Sequence, residues 1–338
     1  MTKPDRFSRI NIWILGRLAA LIVGASLVVS TLQAEEITGD WSLDLESGMP
    51  AWMRVVQQDG QPQVYMRLYI GPTGPYAAEQ VEGRLKFEIR RNPKKKNGQA
   101  SVIKVDVGLK QGKLDGFLER QLADGTSQRE AFTGTRVPPM PASAPDLSKV
   151  RFGYPHMIFN GKDMSGWRTH ESDKTNGWSV IDGMLVNTTT KTDFSPTGSY
   201  ANLRTEAEFE DFWLHIEFLV EEARNSGIYL RGMYEAQVVD RDSRMQGIQG
   251  VGAIFGAIAP TSNAGKPGGQ WQTYDLTLVD RHVTVVLNGV KVIDNQPIDA
   301  PTAGAIYTNA AAPGPIYLQG DHTSVKYKNI YLAPVLKD

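Results

Sequence analysis

The chain of 338 residues contains no cysteine. That excludes disulfides, a lipid-attachment cysteine and thiol chemistry. Charge of one sign is missing too: 36 Lys and Arg stand against 37 Asp and Glu, for a net charge of −1. No basic surplus invites nucleic acid, and there is no polyanionic tail. Helical periodicity is absent from every window longer than a turn or two. Histidine is scarce at five, which makes each one informative. The single long apolar run, Leu18 to Val29, is short for a membrane span, and counting from Ile12 lengthens it toward a signal anchor.

That run has another reading. Arg6, Arg9 and Arg17 precede it, and Ser30-Thr-Leu-Gln-Ala34 follows before Glu35-Glu36. A positive start, a short apolar centre and a small residue at the cut describe a secretory signal peptide over residues 1–34. The expectation is a periplasmic or secreted protein with no stable membrane insertion after cleavage.

Residues 37–136 read as a small all-β domain. Polar and apolar positions alternate at Val64, Met66 and Leu68, at Leu85, Phe87 and Ile89, and at Ile103, Val105 and Val107. Turn signals at Asp59-Gly60, Gly71-Pro72, Asn97-Gly98, Gln111-Gly112 and Asp124-Gly125 separate the runs. Even spacing of this kind predicts an antiparallel barrel or meander. Trp41, Trp52, Tyr65, Tyr69 and Phe87 either fill it or line a ligand cavity. The Lys94–Lys96 run beside Asn97-Gly98 fits a solvated hairpin tip. Prolines 138, 139, 141, 145 and 155 then mark a stiff, extended linker over 137–156.

Residues 157–337 are strand-rich again, with hairpins turning at Asp182-Gly183 and Asn288-Gly289. Phe212, Leu214, Ile216 and Phe218 share one side of a strand. Two packed antiparallel sheets, a jelly-roll sandwich, fit this pattern. The most informative stretch is NSGIYLRGMYEAQVVD at 225–240. Strand alternation puts Glu235 and Gln237 on one face, and Asp240 joins them only through a bulge. Charged groups gathered on one sheet face cost desolvation energy and so suggest a site, the alternative being a solvated outer face with surface ion pairs.

Nine motifs occur in order. They are FNGKDMSGW (Phe159–Trp167), the W-x-V-x-D-G-x-L hairpin (Trp178–Leu185), DFWLHIEF (Asp211–Phe218), NSGIYLRGMYEAQVVD, GAIFG (Gly252–Gly256), KPGGQWQTYDL (Lys266–Leu276), LNGVKVIDN (Leu287–Asn295), GPIYLQGDH (Gly314–His322) and VKYKNIYLAPV (Val325–Val335). Together they make residues 157–337 resemble the 3-keto-disaccharide hydrolase domain family. The resemblance implies a concanavalin-like jelly roll that acts on sugars oxidised to a ketone at C3, by hydrolysis or by elimination and hydration, with a divalent metal needed by some members. It implies nothing about residues 37–136.

The chemistry asks for a base, a group facing the enolate oxygen and a proton donor. Glu235, His322 and Arg231 are the catalytic candidates, and Gln237, Asp240, Trp271 and Gln319 the substrate-binding ones. Were a metal used, His322, Glu235 and Asp321 are its candidate ligands. Two rival readings stand beside this one. Laminarinase-type glycosidases carry acids at the same offsets as Glu235, Gln237 and Asp240, but an amide at the centre cannot share protons. A lectin-like, non-catalytic carbohydrate-binding module is the other, because fold alone never proves catalysis.

Overall fold

The computed structural model describes residues 36–68, 71–91, 101–122, 125–190 and 198–337. The leader read over residues 1–34, Tyr69, the Lys94–Lys96 run, Asn97-Gly98 and Asp124 lie outside the described residues.

Nine strands make the first sheet: β1 (Gly39–Leu45), β2 (Pro50–Gln58), β3 (Gln61–Arg67), β4 (Thr73–Ala77), β5 (Glu79–Val81), β6 (Arg84–Arg91), β7 (Ser101–Lys110), β8 (Lys113–Gln121) and β9 (Ser127–Val137). They are hydrogen-bonded in the order β4-β3-β2-β1-β9-β8-β7-β6-β5. β4 and β5 are opposite edges of this sheet, yet only Ala78 separates them in the chain. The sheet therefore has to curl until its edges approach, which gives a nearly closed barrel and hides both edges. The alternating residues named above, Phe87 among them, all point inward and are buried, and Trp41 joins them as filling. The turns follow the dipeptides: Asp59-Gly60 and Gln111-Gly112 have positive φ at both positions, the geometry that matches strand twist in a two-residue hairpin.

The second domain is a sandwich. Its strands are β10 (His156–Met157), β11 (Trp167–Thr169), β12 (Trp178–Ile181), β13 (Met184–Asn187), β14 (Leu203–Thr205), β15 (Phe212–Leu219), β16 (Asn225–Leu230), β17 (Tyr234–Val239), β18 (Trp271–Val279), β19 (His282–Leu287), β20 (Val290–Pro297), β21 (Tyr317–Leu318) and β22 (Val325–Pro334). One antiparallel sheet runs β12-β13-β22-β15-β18-β19-β20, with β10 added beside β22, and the facing sheet runs β11-β14-β21-β16-β17. Phe212, Leu214, Ile216 and Phe218 of β15 meet Ile228, Leu230, Ala236 and Val238 of the facing sheet, all of them fully buried. Burial of this kind stabilises by roughly 1.5–3 kcal/mol for each large side chain.

β16 and β17 are buried at every position. One face of this hairpin packs on the core. The other carries Gly227, Tyr229, Glu235 and Gln237, and it is covered by loops and by the barrel. Sheet faces that bear polar groups under cover are where sites form.

The proline segment lies along the sandwich instead of standing free. Pro138 and Pro145 carbonyls accept from Arg281 Nη1 and Asn295 Nδ2 at 2.8 and 2.9 Å. The barrel docks on the 299–308 loop. Arg54 bridges Asp40 and Asp299, Ser42 Oγ meets Thr308 Oγ1 at 2.8 Å, and Arg67 reaches the carbonyls of Thr302 and Ala305. No helix of the described residues is long and apolar enough to cross a membrane.

Candidate active site

The covered face of β16–β17 is the floor of a cleft of about 550 Å³ between sandwich and barrel, a size that holds small ligands. Strand alternation explains why the sequence delivers polar groups here. Tyr229 pairs with Glu235 across the hairpin, and Gly227 with Gln237. On neighbouring β21, Tyr317 lies opposite Tyr229, and Gln319 follows with its N–H on the Gly227 carbonyl at 2.9 Å. A Cβ at Gly227 would stand inside van der Waals contact with the Glu235 carboxyl, so glycine there leaves that group its room.

Glu235 is buried, with 3% of its surface exposed. Burial pushes its carboxyl up to about 8; a hydrogen bond with Tyr229 opposes this, and the charge of Asp321 adds to it. The Tyr229 hydroxyl also donates to the Ala303 carbonyl at 3.0 Å. One hydroxyl proton cannot serve two acceptors. With the Tyr229 proton held by Ala303, burial governs at Glu235 and favours its neutral form.

The GPIYLQGDH turn brings the second reactive pair. His322 Nδ1 is 2.6 Å from Asp321 Oδ1, which orients the ring and leaves Nε2 as the nitrogen available to a ligand. Asn202 Oδ1 holds the turn by accepting from the Gly320 and Asp321 N–H groups at 2.7 and 3.2 Å. Glu171 in turn fixes Asn202, accepting from its N and Nδ2 at 2.9 Å each, and pairs with Lys174 at 3.2 Å. His170 stands edge-on to Tyr317 with ring centroids 5.9 Å apart. Burial lowers its pKa, the charge of Glu171 opposes this, and Arg204 and Arg168 add to the lowering.

Two acceptors in the cleft lack partners. Asn225 Oδ1 and Gln319 Oε1 are buried and receive no hydrogen bond, although both side chains line the cleft. Buried oxygens left unsatisfied ask for a ligand rich in O–H donors.

The cleft thus gathers Glu235, Gln237, Gln319, Asp321 and His322 among the residues singled out in the sequence. Gln237 is partly committed: its Oε1 accepts from the Val238 N–H at 2.9 Å and its Nε2 donates to the Gln249 carbonyl at 3.2 Å. Three others lie elsewhere. Arg231 sits in the β16–β17 turn with φ 55°, beside Gly232 at 63°. Its Nη2 donates to the Ala310 and Ala312 carbonyls, so it ties a loop and does not face the cleft floor. Asp240 follows the end of β17 with no bulge, and its carboxylate accepts from the Ala223 and Asp242 N–H groups at 3.0 Å each. Trp271 begins β18 on the outer side of the other sheet, under Lys328 Nζ at 4.1 Å. The expected catalytic role of Arg231 and binding roles of Asp240 and Trp271 are corrected accordingly.

Sequence reasoning passed over His170, Glu171, Lys174, Asn202, Asn225, Tyr229 and Tyr317, which line the cleft, and Arg67, which enters it from the barrel. Tyr229 and Tyr317 had a signal, since they alternate in register with Glu235 and Gln319. The 170–174 loop had none. A second interdomain cavity of about 540 Å³, lined by Trp52, Tyr65 and Phe255, holds one carboxylate, Asp299, which is tied to Arg54. It offers no acid–base pair.

Among the described residues no group of three His, Asp or Glu side chains converges on one point. His322 Nδ1 is engaged by Asp321 Oδ1, so these two groups face each other and not a common ion. The candidate ligands His322, Glu235 and Asp321 therefore do not fit a divalent ion.

Residues 155–333 match the family model of the 3-keto-alpha-glucoside-1,2-lyase-like domain. No curated protein sequence matches the chain. Among solved structures, two candidate glycosyl hydrolases from Parabacteroides distasonis ATCC 8503 are similar to it. One is 19% identical, covers 54% of this chain and 94% of its own, and has a TM-score of 0.42. The other is 21% identical, covers 53% and 98%, and scores 0.40. A non-specific endo-beta-1,3(4)-glucanase is 14% identical over 60% of this chain and 100% of its own, with a TM-score of 0.34.

Proposed function

The chain belongs to the 3-keto-alpha-glucoside-1,2-lyase-like family and is a carbohydrate-active protein; from that premise we propose that it is an enzyme cleaving 3-keto-glycosides by elimination and hydration. The observation that carries the reading is one cleft holding a neutral, buried Glu235 and a His322 ring oriented by Asp321. Two titratable centres with opposed tasks are what acid–base cleavage requires.

A ketone at C3 acidifies the C2 proton. His322 Nε2 takes that proton, with Asp321 holding Nδ1–H and stabilising the imidazolium that forms. The electron pair of the C2–H bond passes to the C2–C3 bond, and the ketone oxygen becomes an oxyanion. As the carbonyl re-forms, the C1–O bond breaks and Glu235 gives its proton to the leaving oxygen. Water then adds to C1 with Glu235 carboxylate as base, and His322 returns a proton to C2. Both groups end as they began. Asn225 Oδ1 and Gln319 Oε1 accept from sugar hydroxyls.

A laminarinase-type mechanism is disfavoured on geometry. It wants two free carboxyls at the hairpin, and Asp240 is spent on two backbone N–H groups outside the cleft. Export belongs to the proposal as well, supported by the pattern of residues 1–34. The test of the activity is release of the leaving alcohol from a 3-keto-glucoside beside its unoxidised parent. The proposal expects turnover of the keto form alone. Cleavage of the parent at a similar rate would favour an ordinary glycosidase, and sugar binding with no turnover of either would favour a binding module.

A further inference from the structure

We propose that Arg67, carried by the N-terminal barrel, is a catalytic residue of the cleft whose guanidinium faces the oxyanion formed at the ketone oxygen. The inference rests on the elimination reading and concerns a domain outside residues 155–333, the part that matches the family.

Arg67 ends β3 and shows 3% of its surface. Its Nε donates to the Thr302 carbonyl at 2.9 Å, Nη1 to Pro50 at 3.1 Å and Nη2 to Ala305 at 2.8 Å. A guanidinium has five N–H donors, so one remains on each terminal nitrogen. Every one of these acceptors is a neutral carbonyl. Among the described residues no carboxylate pairs with Arg67, and burial lowers its pKa to about 10 while leaving it charged at neutral pH.

A buried, unneutralised cation is costly and needs a reason. Holding two domains together is not reason enough, because Arg54 on neighbouring β2 does that with two carboxylates, Asp40 and Asp299. Arg67 instead lines the same cleft as Glu235, Gln319 and His322, close enough for its charge to act on Tyr229 and Tyr317. Arg67 is itself buried, so its fixed positive charge is weakly screened and acts strongly on negative charge that develops during the reaction. The same group would be idle toward a neutral ground state. The barrel thus completes the active site.

The test uses the full chain as wild type, Arg67→Met and Arg67→Lys. Turnover of a 3-keto-glucoside is measured together with binding of ascorbate, a small-ring enolate anion, and of neutral methyl glucoside, with melting curves to confirm folding. Arg67→Met should lose about 10²–10³ in kcat with little change in KM. It should weaken ascorbate at least about tenfold and leave methyl glucoside unchanged. Arg67→Lys keeps the charge without the fork and should keep most ascorbate affinity. If Arg67→Met does not fold, Arg67→Gln takes its place with the same losses expected. Arg67→Lys losing ascorbate as fully as the uncharged variant, unchanged ascorbate binding in that uncharged variant, or a wild type that does not bind ascorbate each overturns the inference. A wild type that binds ascorbate through Arg67 yet turns over no 3-keto-glycoside instead overturns the proposed function and leaves Arg67 as an anion-binding residue.

Discussion

Replacing Glu235 with glutamine removes a buried carboxyl without changing its shape, and its effect on stability can be worked out. The carboxyl titrates at 4.5 when unperturbed and at about 8 in the fold, a difference of 8 − 4.5 = 3.5. Between those pH values the unfolded chain has released the proton and the folded chain has kept it. The folded state then binds more protons, so stability falls as pH rises, by about 1.4 kcal/mol for each pH unit. The contribution is fully present below 4.5 and gone above about 8. The whole interval amounts to on the order of 5 kcal/mol at alkaline pH. Glutamine is neutral throughout and escapes this loss. Urea unfolding of wild type and Glu235→Gln at pH 5 and pH 9 isolates the effect, because other titrating groups cancel in the difference. The two proteins should be close at pH 5, and the variant should gain several kcal/mol on wild type at pH 9. A difference that stays flat between the two pH values would refute the reasoning, and with it the neutral Glu235 on which the acid role depends.

Other predictions follow from the same contacts. Asp321→Asn should leave the fold and KM nearly intact but lower kcat by roughly 10²–10⁴, because His322 loses the carboxylate that orients it; steady-state kinetics check this. The kcat/KM profile should fall as pH rises past about 8, where Glu235 loses the proton it must donate. Asp240→Ala should cost about 1–2 kcal/mol through two freed N–H groups while kcat stays within about twofold, as read by melting and turnover. Trp271→Ala should leave sugar affinity unchanged in calorimetry, since the ring lies on the far sheet.

Much of the fold was legible because burial and strand period act locally. The alternating positions in β3, β6 and β7 all turn inward, and β15 places Phe212, Leu214, Ile216 and Phe218 in the core. The Asp182-Gly183 and Asn288-Gly289 turns have positive φ at both residues. Arg231-Gly232 follows the same dipeptide logic, with positive φ at both residues, which turns the Arg231 side chain toward the 310–312 loop and away from the cleft. Trp271 lies on the outer side of β18 because Gln272, Tyr274 and Leu276 take the inner one, a phase already visible in Tyr274 and Leu276 set against Thr273 and Asp275. Arg67 had no local signal at all. Between Met66 and Leu68 it reads as the solvated side of a barrel strand, and it is buried only because a domain more than two hundred residues away in the chain covers it. Sites assembled by docking are invisible to alternation.

Elimination followed by hydration requires the C2 proton to leave and a proton to return to C2 during cleavage. Turnover of a 3-keto-glucoside in deuterated water, followed by proton NMR of the released 3-keto sugar, tests it most directly. One deuterium should enter C2 for each bond broken, and it should be lost along with turnover in His322→Ala. Cleavage that leaves the original proton on C2 would contradict it.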